Sequence, residues 1–323
     1  NHLWLSWSLM LGAEEYDIEW FTVDSGSEWE EMGNALLNGS SIYSNEDIAS
    51  VFRNNATRIT THENNYSISL LYNTKYILVR MRQVQYMTDG IRNTGEWFYK
   101  QEDNNSYAVW EPAWHQENLN WQYAVSYAEE GKKKEVISYF DGSLRGRQTV
   151  TLNNSDNVAV VQENVYDQFG RAAASILPTP VKENTINQSL HYFPSFNRNV
   201  NDVPYSFVDL NAENCEPLPQ SLSTGSGASK YYSSQNQFKD LNIFNQYIAD
   251  ARGYPLSVTQ YTPDNTGRIK LQGGVGYTFQ PGNTEKHTTQ YFYSKPEQWE
   301  LDRLFGNDVG YAEHYHKNMV VDP

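Results

Sequence analysis

Tyr166-Asp167-Gln168-Phe169-Gly170-Arg171 lies between two β-prone runs, where its residue types favour a tight reversal of the chain. Asp supplies a side-chain acceptor for turn amides, and Gly takes the positive φ that other residues resist. Two further segments follow the same plan: Phe140-Asp141-Gly142 with Gly146-Arg147 after it, and Tyr261, Asp264, Gly267 and Arg268 in "VTQYTPDNTGRIKL". Each reads as an aromatic, an Asp within a few residues, Gly-Arg, then a β-prone stretch. The unit is a β-hairpin in which the aromatic packs on the sheet, Asp caps the turn, and Arg opens the return strand and pairs with Asp. The first two aspartates are 26 residues apart (167 − 141), a spacing that suits repeats, and the third is 97 residues further on (264 − 167). Between them lies a long loop insertion near 184–240, rich in Asn, Ser and Pro.

The rest of the chain agrees with a β-protein. It carries 24 Tyr, 13 Phe and 9 Trp at a net charge of −15, and aromatics with Thr suit a pleated, half-buried surface. Period-2 alternation recurs in Leu3, Leu5, Trp7; in Tyr16, Ile18, Trp20; in Tyr66, Ile68, Leu70; and in Trp121, Tyr123, Val125, Tyr127. The acidic balance argues against a nucleic-acid partner, and Lys132-Lys133-Lys134, flanked by Glu130 and Glu135, reads as a solvated hairpin tip. A single cysteine, Cys215, allows no internal disulfide, and no apolar run is long enough for a membrane helix. The chain begins without Met and reads as an internal piece of a larger polypeptide.

Residues 1–103 resemble a fibronectin type III domain. The resemblance rests on Trp7, on Tyr16, Ile18 and Trp20 in one strand, and on Leu70, Asn73, Thr74, Tyr76 and Arg80 around a corner. It implies a β-sandwich lacking its first strand, with an open sheet edge for a neighbouring segment to cover, and Tyr76 as the corner tyrosine. After a linker over 104–120, residues 121–323 resemble the RHS/YD-repeat, teneurin-like proteins secreted by Bacteroidota. Tyr166-Asp167-x-x-Gly170-Arg171 carries that likeness, together with the looser copies and the stretches "GYPLSVTQYTPDNTGRIKLQGGVG" and "ELDRLFGNDVGYAEHYHKNMVVDP". In that family the hairpins coil into a hollow β-shell, which in polymorphic-toxin members encloses a C-terminal toxic domain. The resemblance therefore implies an all-β chain, a sandwich leading into the start of a shell, and a non-enzymatic role in enclosing or presenting a C-terminal effector. It also implies export through the type IX secretion system to the medium or the cell surface, where passengers include toxins and gliding-motility factors. The partners would be the remainder of the same polypeptide and the secretion translocon.

Candidate chemistry is sparse. His314 and His316 would share one face of a strand but lack an evident third metal ligand. Asn197, Asn199, Asn201 and Asp202 alternate like a calcium loop without its glycine and final acid, and read as an Asx-rich loop. "STGSGASKY" misses the phosphate-loop spacing before Lys230 and reads as a flexible loop. The pairs Glu30-Glu31 and Glu129-Glu130 point to opposite faces if extended. Cys215, with His191 somewhat upstream, could be read as a nucleophile and base, but its neighbourhood has no basic residue to activate the thiol. No catalytic, cofactor or metal residue is assigned. The rival reading is a carbohydrate-binding or accessory module of a glycan-active enzyme, with Trp110, Trp114 and Trp121 as a stacking platform.

Overall fold

The structure, a computed structural model, describes residues 2–38, 42–70, 74–98, 108–110, 115–153, 158–181, 190–210, 217–241, 243–285 and 287–323. The chain is mostly antiparallel β-sheet and divides into two compact units. One comprises Asn1–Ile137, Thr151–Ala159 and Lys182–His191, the other Ser138–Val150, Val160–Val181 and Tyr192–Pro323.

The first unit is built on β2 (Glu15–Val23), which pairs with β3 (Thr57–Thr61) and β5 (Tyr76–Tyr86). β6 (Arg92–Thr94) and β7 (Ala108–Trp110) add to β5. A separate antiparallel pair joins β1 (His2–Ser6) to β4 (Asn65–Ser69), with Leu3 opposite Ile68 and Leu5 opposite Tyr66. The alternation in the sequence explains one core. Ile18, Trp20, Ile77 and Val79 pack with Ile59, Tyr66, Ile68 and Leu70, against which Leu3, Leu5 and Trp7 close.

The opposite face of β2 carries what alternation did not reveal. Two helices, α1 (Glu30–Leu37) and α2 (Asn45–Asn55), set Met32, Leu36, Ile48, Val51 and Phe52 against Phe21, Val23, Tyr76 and Leu78. Fully burying an aliphatic side chain such as Leu36 or Ile48 is worth about 1.5–3 kcal/mol, enough to fix short helices on a sheet. Ser44 starts α2 with a reciprocal cap: its hydroxyl accepts from the Asp47 amide at 3.2 Å, and its own amide donates to Asp47 Oδ2 at 2.9 Å. Tyr76 lies in this helix-covered core, its ring against Gly33 of α1.

A second sheet runs in chain order through β8 (Asn120–Tyr127), β9 (Lys133–Phe140), β10 (Gly146–Asn153), β11 (Val158–Tyr166) and β12 (Ala172–Val181). It continues through β13 (Leu256–Tyr261), β14 (Ile269–Gly273), β15 (Thr288–Ser294) and β16 (Lys317–Val321). The first unit extends past residue 103 to include β8 and the start of β9. There Lys133 is buried, bonding the Ser67 carbonyl at 2.7 Å and Glu135 at 3.0 Å, whereas Lys132 stays exposed beside Glu130. Only part of the triple-lysine run is therefore a solvated tip.

The described residues of the insertion between β12 and β13 are folded. They include two short helices, α3 (Phe207–Leu210) and α4 (Gly227–Tyr231). Tyr205, Leu210, Leu222, Ala228 and Tyr254 join Val165, Ala174, Ile176, Leu256 and Val258 in one core. The glycine-rich stretch, expected to be a flexible loop, belongs to this core because Ala228 is fully buried and Gly227 is closely enclosed. A Cβ on Gly227 would lie 2.4 Å from both Asn197 Oδ1 and the Phe196 carbonyl. A further helix, α5 (Gln298–Phe305), stands between β15 and β16.

Candidate functional site

Two copies of the recurring turn, both in the second unit, share one well-defined geometry. In its clearest copy, Asp167 Oδ1 accepts from the amides of Phe169 and Arg171, both at 2.9 Å, and Oδ2 accepts from Arg171 Nε at 2.7 Å. The Asp167 amide donates to the Arg171 carbonyl at 2.9 Å and the Gly170 amide to the Asp167 carbonyl at 3.0 Å. Gly170 holds the left-handed position at φ +81°. One aspartate thus serves two backbone donors and a guanidinium, which makes the turn self-contained.

The same pattern recurs at Asp141, with its arginine at 145. Asp141 Oδ1 accepts from Ser143 and Arg145 amides, and Oδ2 from Arg145 Nε at 2.8 Å. Leu144, at φ +60°, occupies the place that Gly170 fills in the other copy. Gly146 and Arg147, the pair chosen from the sequence, lie one step beyond in β10, where Arg147 reaches the Asn164 carbonyl at 3.3 Å. The Asp-to-Arg interval of four residues, common to 141/145 and 167/171, is the signal that fixes this register.

The third copy is two residues longer. Thr262 takes the backbone role of the aspartate, its amide donating to the Arg268 carbonyl at 2.8 Å. Asp264 caps from within the loop, accepting from Thr262 Oγ1 at 2.6 Å and from the Thr266 amide and hydroxyl. Those bonds hold its carboxyl down at about 2. Gly267 is again left-handed, at φ +75°.

What joins the turns is a ladder that the motif alone does not express. Tyr166 donates its hydroxyl to the Gly146 carbonyl at 3.0 Å, Tyr261 to the Ala172 carbonyl at 3.0 Å, and Tyr293 to the Ile269 carbonyl at 2.9 Å. Each acceptor is the residue immediately after the cation of the preceding turn. That cation stands over the same ring: Arg145 at 5.2 Å from the Tyr166 centroid, Arg171 at 4.3 Å from Tyr261, Arg268 at 5.2 Å from Tyr293. Every rung therefore combines a phenol hydrogen bond with a cation–π contact. Tyr293 escaped the sequence reading because no aspartate follows it within a few residues.

A second polar cluster lies in the first unit. Asp17 and Glu19, which alternate with Tyr16, Ile18 and Trp20 along β2, are buried, 0% and 3% exposed. Arg82 and Arg92 bond Asp17, and Arg58 and Arg80 bond Glu19. Burial pushes the Asp17 carboxyl up, but bonds from Arg92, Thr60 and Arg82 outweigh it and hold the group below its usual range. Trp97 lies against the guanidinium layer, 4.3 Å from Arg80 and 4.4 Å from Arg82. The carboxylates are saturated by cations, an arrangement that stabilises a face of β2 and leaves no free acid–base pair.

The remaining candidates are dispersed. Trp121 is half-buried against His115, ring centroids 5.1 Å apart, while Trp110 pairs through its backbone with Ile77, and Trp114 lies outside the described residues. His115 is held down to about 4 by burial. His314 is 70% exposed beside Glu313, and among the described residues no three of His, Cys, Asp and Glu gather as a metal site. Asn197 and Asn199 are buried: Asn199 Oδ1 accepts the Asn201 and Val203 amides, and Asn197 donates to Glu163 at 2.7 Å. Cys215 and Asn73 lie outside the described residues. Among the described residues no helix is long and apolar enough to cross a membrane.

Residues 114–216 match a family described as a domain of unknown function, DUF6443. The matched stretch holds β8 to β12 and the turns at Asp141 and Asp167. No curated protein matches the chain.

Proposed function

We propose that this chain is a non-enzymatic structural segment of a large secreted bacterial RHS/YD-repeat protein, a fibronectin-like sandwich leading into the first turns of a β-shell. The reading is carried by one observation: a turn-and-tyrosine rung repeated three times along one sheet. A ladder in which each turn supplies the acceptor and cation for the next tyrosine is a means of extending a sheet by increments. It needs no disulfide, in keeping with a single cysteine. A twisted sheet extended in this way must curl and close or cover its edge, because an open edge invites aggregation. The carboxylates of Asp141, Asp167 and Asp264 are engaged as turn caps, which suits architecture better than acid–base work. For the first unit, the pairing of β1 with β4 and the order β3-β2-β5-β6 support a sandwich reading, with α1 and α2 as additions.

Its role would be to enclose or present a C-terminal effector of the same polypeptide, after export through the type IX secretion system to the medium or the cell surface. Cryo-electron microscopy of the whole secreted protein tests this. A closed β-shell around additional density is the expected result, and an open string of modules overturns it. Binding of the protein to a glycan array, lost in Trp121→Ala, would instead support the carbohydrate-binding reading.

A further inference from the structure

One cavity of the second unit lies off the ladder, among residues that the repeated turn does not use. It encloses about 160 Å³ between the end of β12 and the insertion. Pro180, Phe196, Tyr231 and Phe238 give it an apolar wall, in which Tyr231 meets Phe238 edge-on with ring centroids 5.7 Å apart. The glycine-rich stretch Gly225-Ser226-Gly227 also lines it, with Lys230 one turn further on. That stretch is fixed in place: Asn197 Oδ1 accepts the Ala228 amide at 2.9 Å, and Asn197 in turn donates to Glu163 at 2.7 Å.

The side-chain donors here lack acceptors. Ser226 Oγ is buried with no hydrogen-bond partner among the described residues. In the segment that leads to Phe238, Asn236 is 7% exposed and its Nδ2 is likewise unpartnered among those residues. Lys230 is half-buried and, among the described residues, takes part in no ion pair, in a chain of net charge −15. No Asp or Glu lines the cavity. Buried donors without acceptors are rare and costly in a folded chain, and a ligand that brings an acceptor offsets that cost. A single ammonium matches a single negative charge, so the fitting acceptor is a carboxylate and not a phosphate dianion. The volume sets the size of the rest, because a cavity of about 150 Å³ takes up one benzene ring.

We propose that this cavity binds a small free carboxylic acid as its anion, with an apolar body the size of one ring. The Lys230 ammonium and the Ser226 hydroxyl donate to the carboxylate, and the body lies against Pro180, Phe196, Tyr231 and Phe238.

The test titrates the 323-residue chain with 4-fluorobenzoate, read by fluorine NMR. Saturable binding, competed by benzoate, is expected. Benzyl alcohol keeps the ring and loses the charge, and should bind about tenfold more weakly, as expected when a hydrogen bond to a charged group is lost. Lys230→Met should lower benzoate affinity to the level of benzyl alcohol and leave benzyl alcohol unaffected. Ser226→Ala should weaken benzoate while keeping the melting temperature at or above that of the wild type, because the hydroxyl has no protein partner to lose. Absence of saturable binding overturns the inference, as do equal affinities for benzoate and benzyl alcohol, benzoate binding unchanged in both variants, or a melting temperature lowered by Ser226→Ala. Tighter binding of phenyl phosphate overturns it in favour of a dianion site, and tighter binding of a tripeptide ending in phenylalanine overturns it in favour of a chain terminus.

Discussion

Gly170 and Leu144 hold the same place in two copies of one turn, at φ +81° and +60°. Left-handed backbone costs an L-residue roughly 1–2 kcal/mol, whereas glycine adopts it freely. Gly170→Val should therefore destabilise the protein by about 1 kcal/mol or more, since a β-branched side chain is forced into that region. The added Cβ would also come within 2.6 Å of the Arg145 guanidinium, which can swing aside. Leu144 is 73% exposed and gives up little packing, so Leu144→Gly should stabilise by several tenths to about 1 kcal/mol after the entropy of glycine is counted. Denaturant melts of the two variants check both signs. An unchanged midpoint for Gly170→Val would contradict the assigned backbone role.

The elements differ in how well the sequence expresses them. Strands came through wherever one face is buried, as for Leu3, Leu5 and Trp7, because period-2 alternation then encodes the face directly. The same logic failed at Asp17 and Glu19: alternation reads a polar residue as solvent-facing and cannot register an arginine layer that meets it. The helices α1 and α2 were lost among aromatic strands, although Ser44 and Asp47 form a capping box. The turns were legible in kind, and their register was not at Gly146-Arg147, where two arginines two residues apart competed for one role. The rungs were illegible because the acceptors are carbonyls, which carry no residue identity. The folded insertion makes a prediction at this scale. Gly227→Ala sets a Cβ against a backbone carbonyl at φ +52°, so it should cost about 2 kcal/mol or more and expose the core around Ala228. Amide exchange in 221–232 at wild-type rates would contradict it.

Across the whole molecule, acid titrates carboxyls whose shifts run in opposite directions. The carboxyls of Asp17, Asp141 and Asp264 lie below their usual range in the folded chain. Their contribution is present above the unfolded value of about 4 and is lost as pH falls through the depressed values, which for Asp264 is about 2. Glu163 is raised by burial, against bonds from Asn197 and Gln148, so its contribution is full below the unfolded value and declines as pH rises. Thermal melts from pH 2 to 8 should show stability greatest in weak acid and falling below about pH 4. A melting temperature that kept rising to pH 3 would contradict the assigned ion pairs. The architectural claim itself depends on rungs acting as coupled units, and a double-mutant cycle of Arg171→Met and Tyr261→Leu measures that coupling. The account predicts a coupling energy of about 0.5–1 kcal/mol in the second unit, the worth of a cation–π contact at a half-exposed site. Strict additivity of the two substitutions would contradict it.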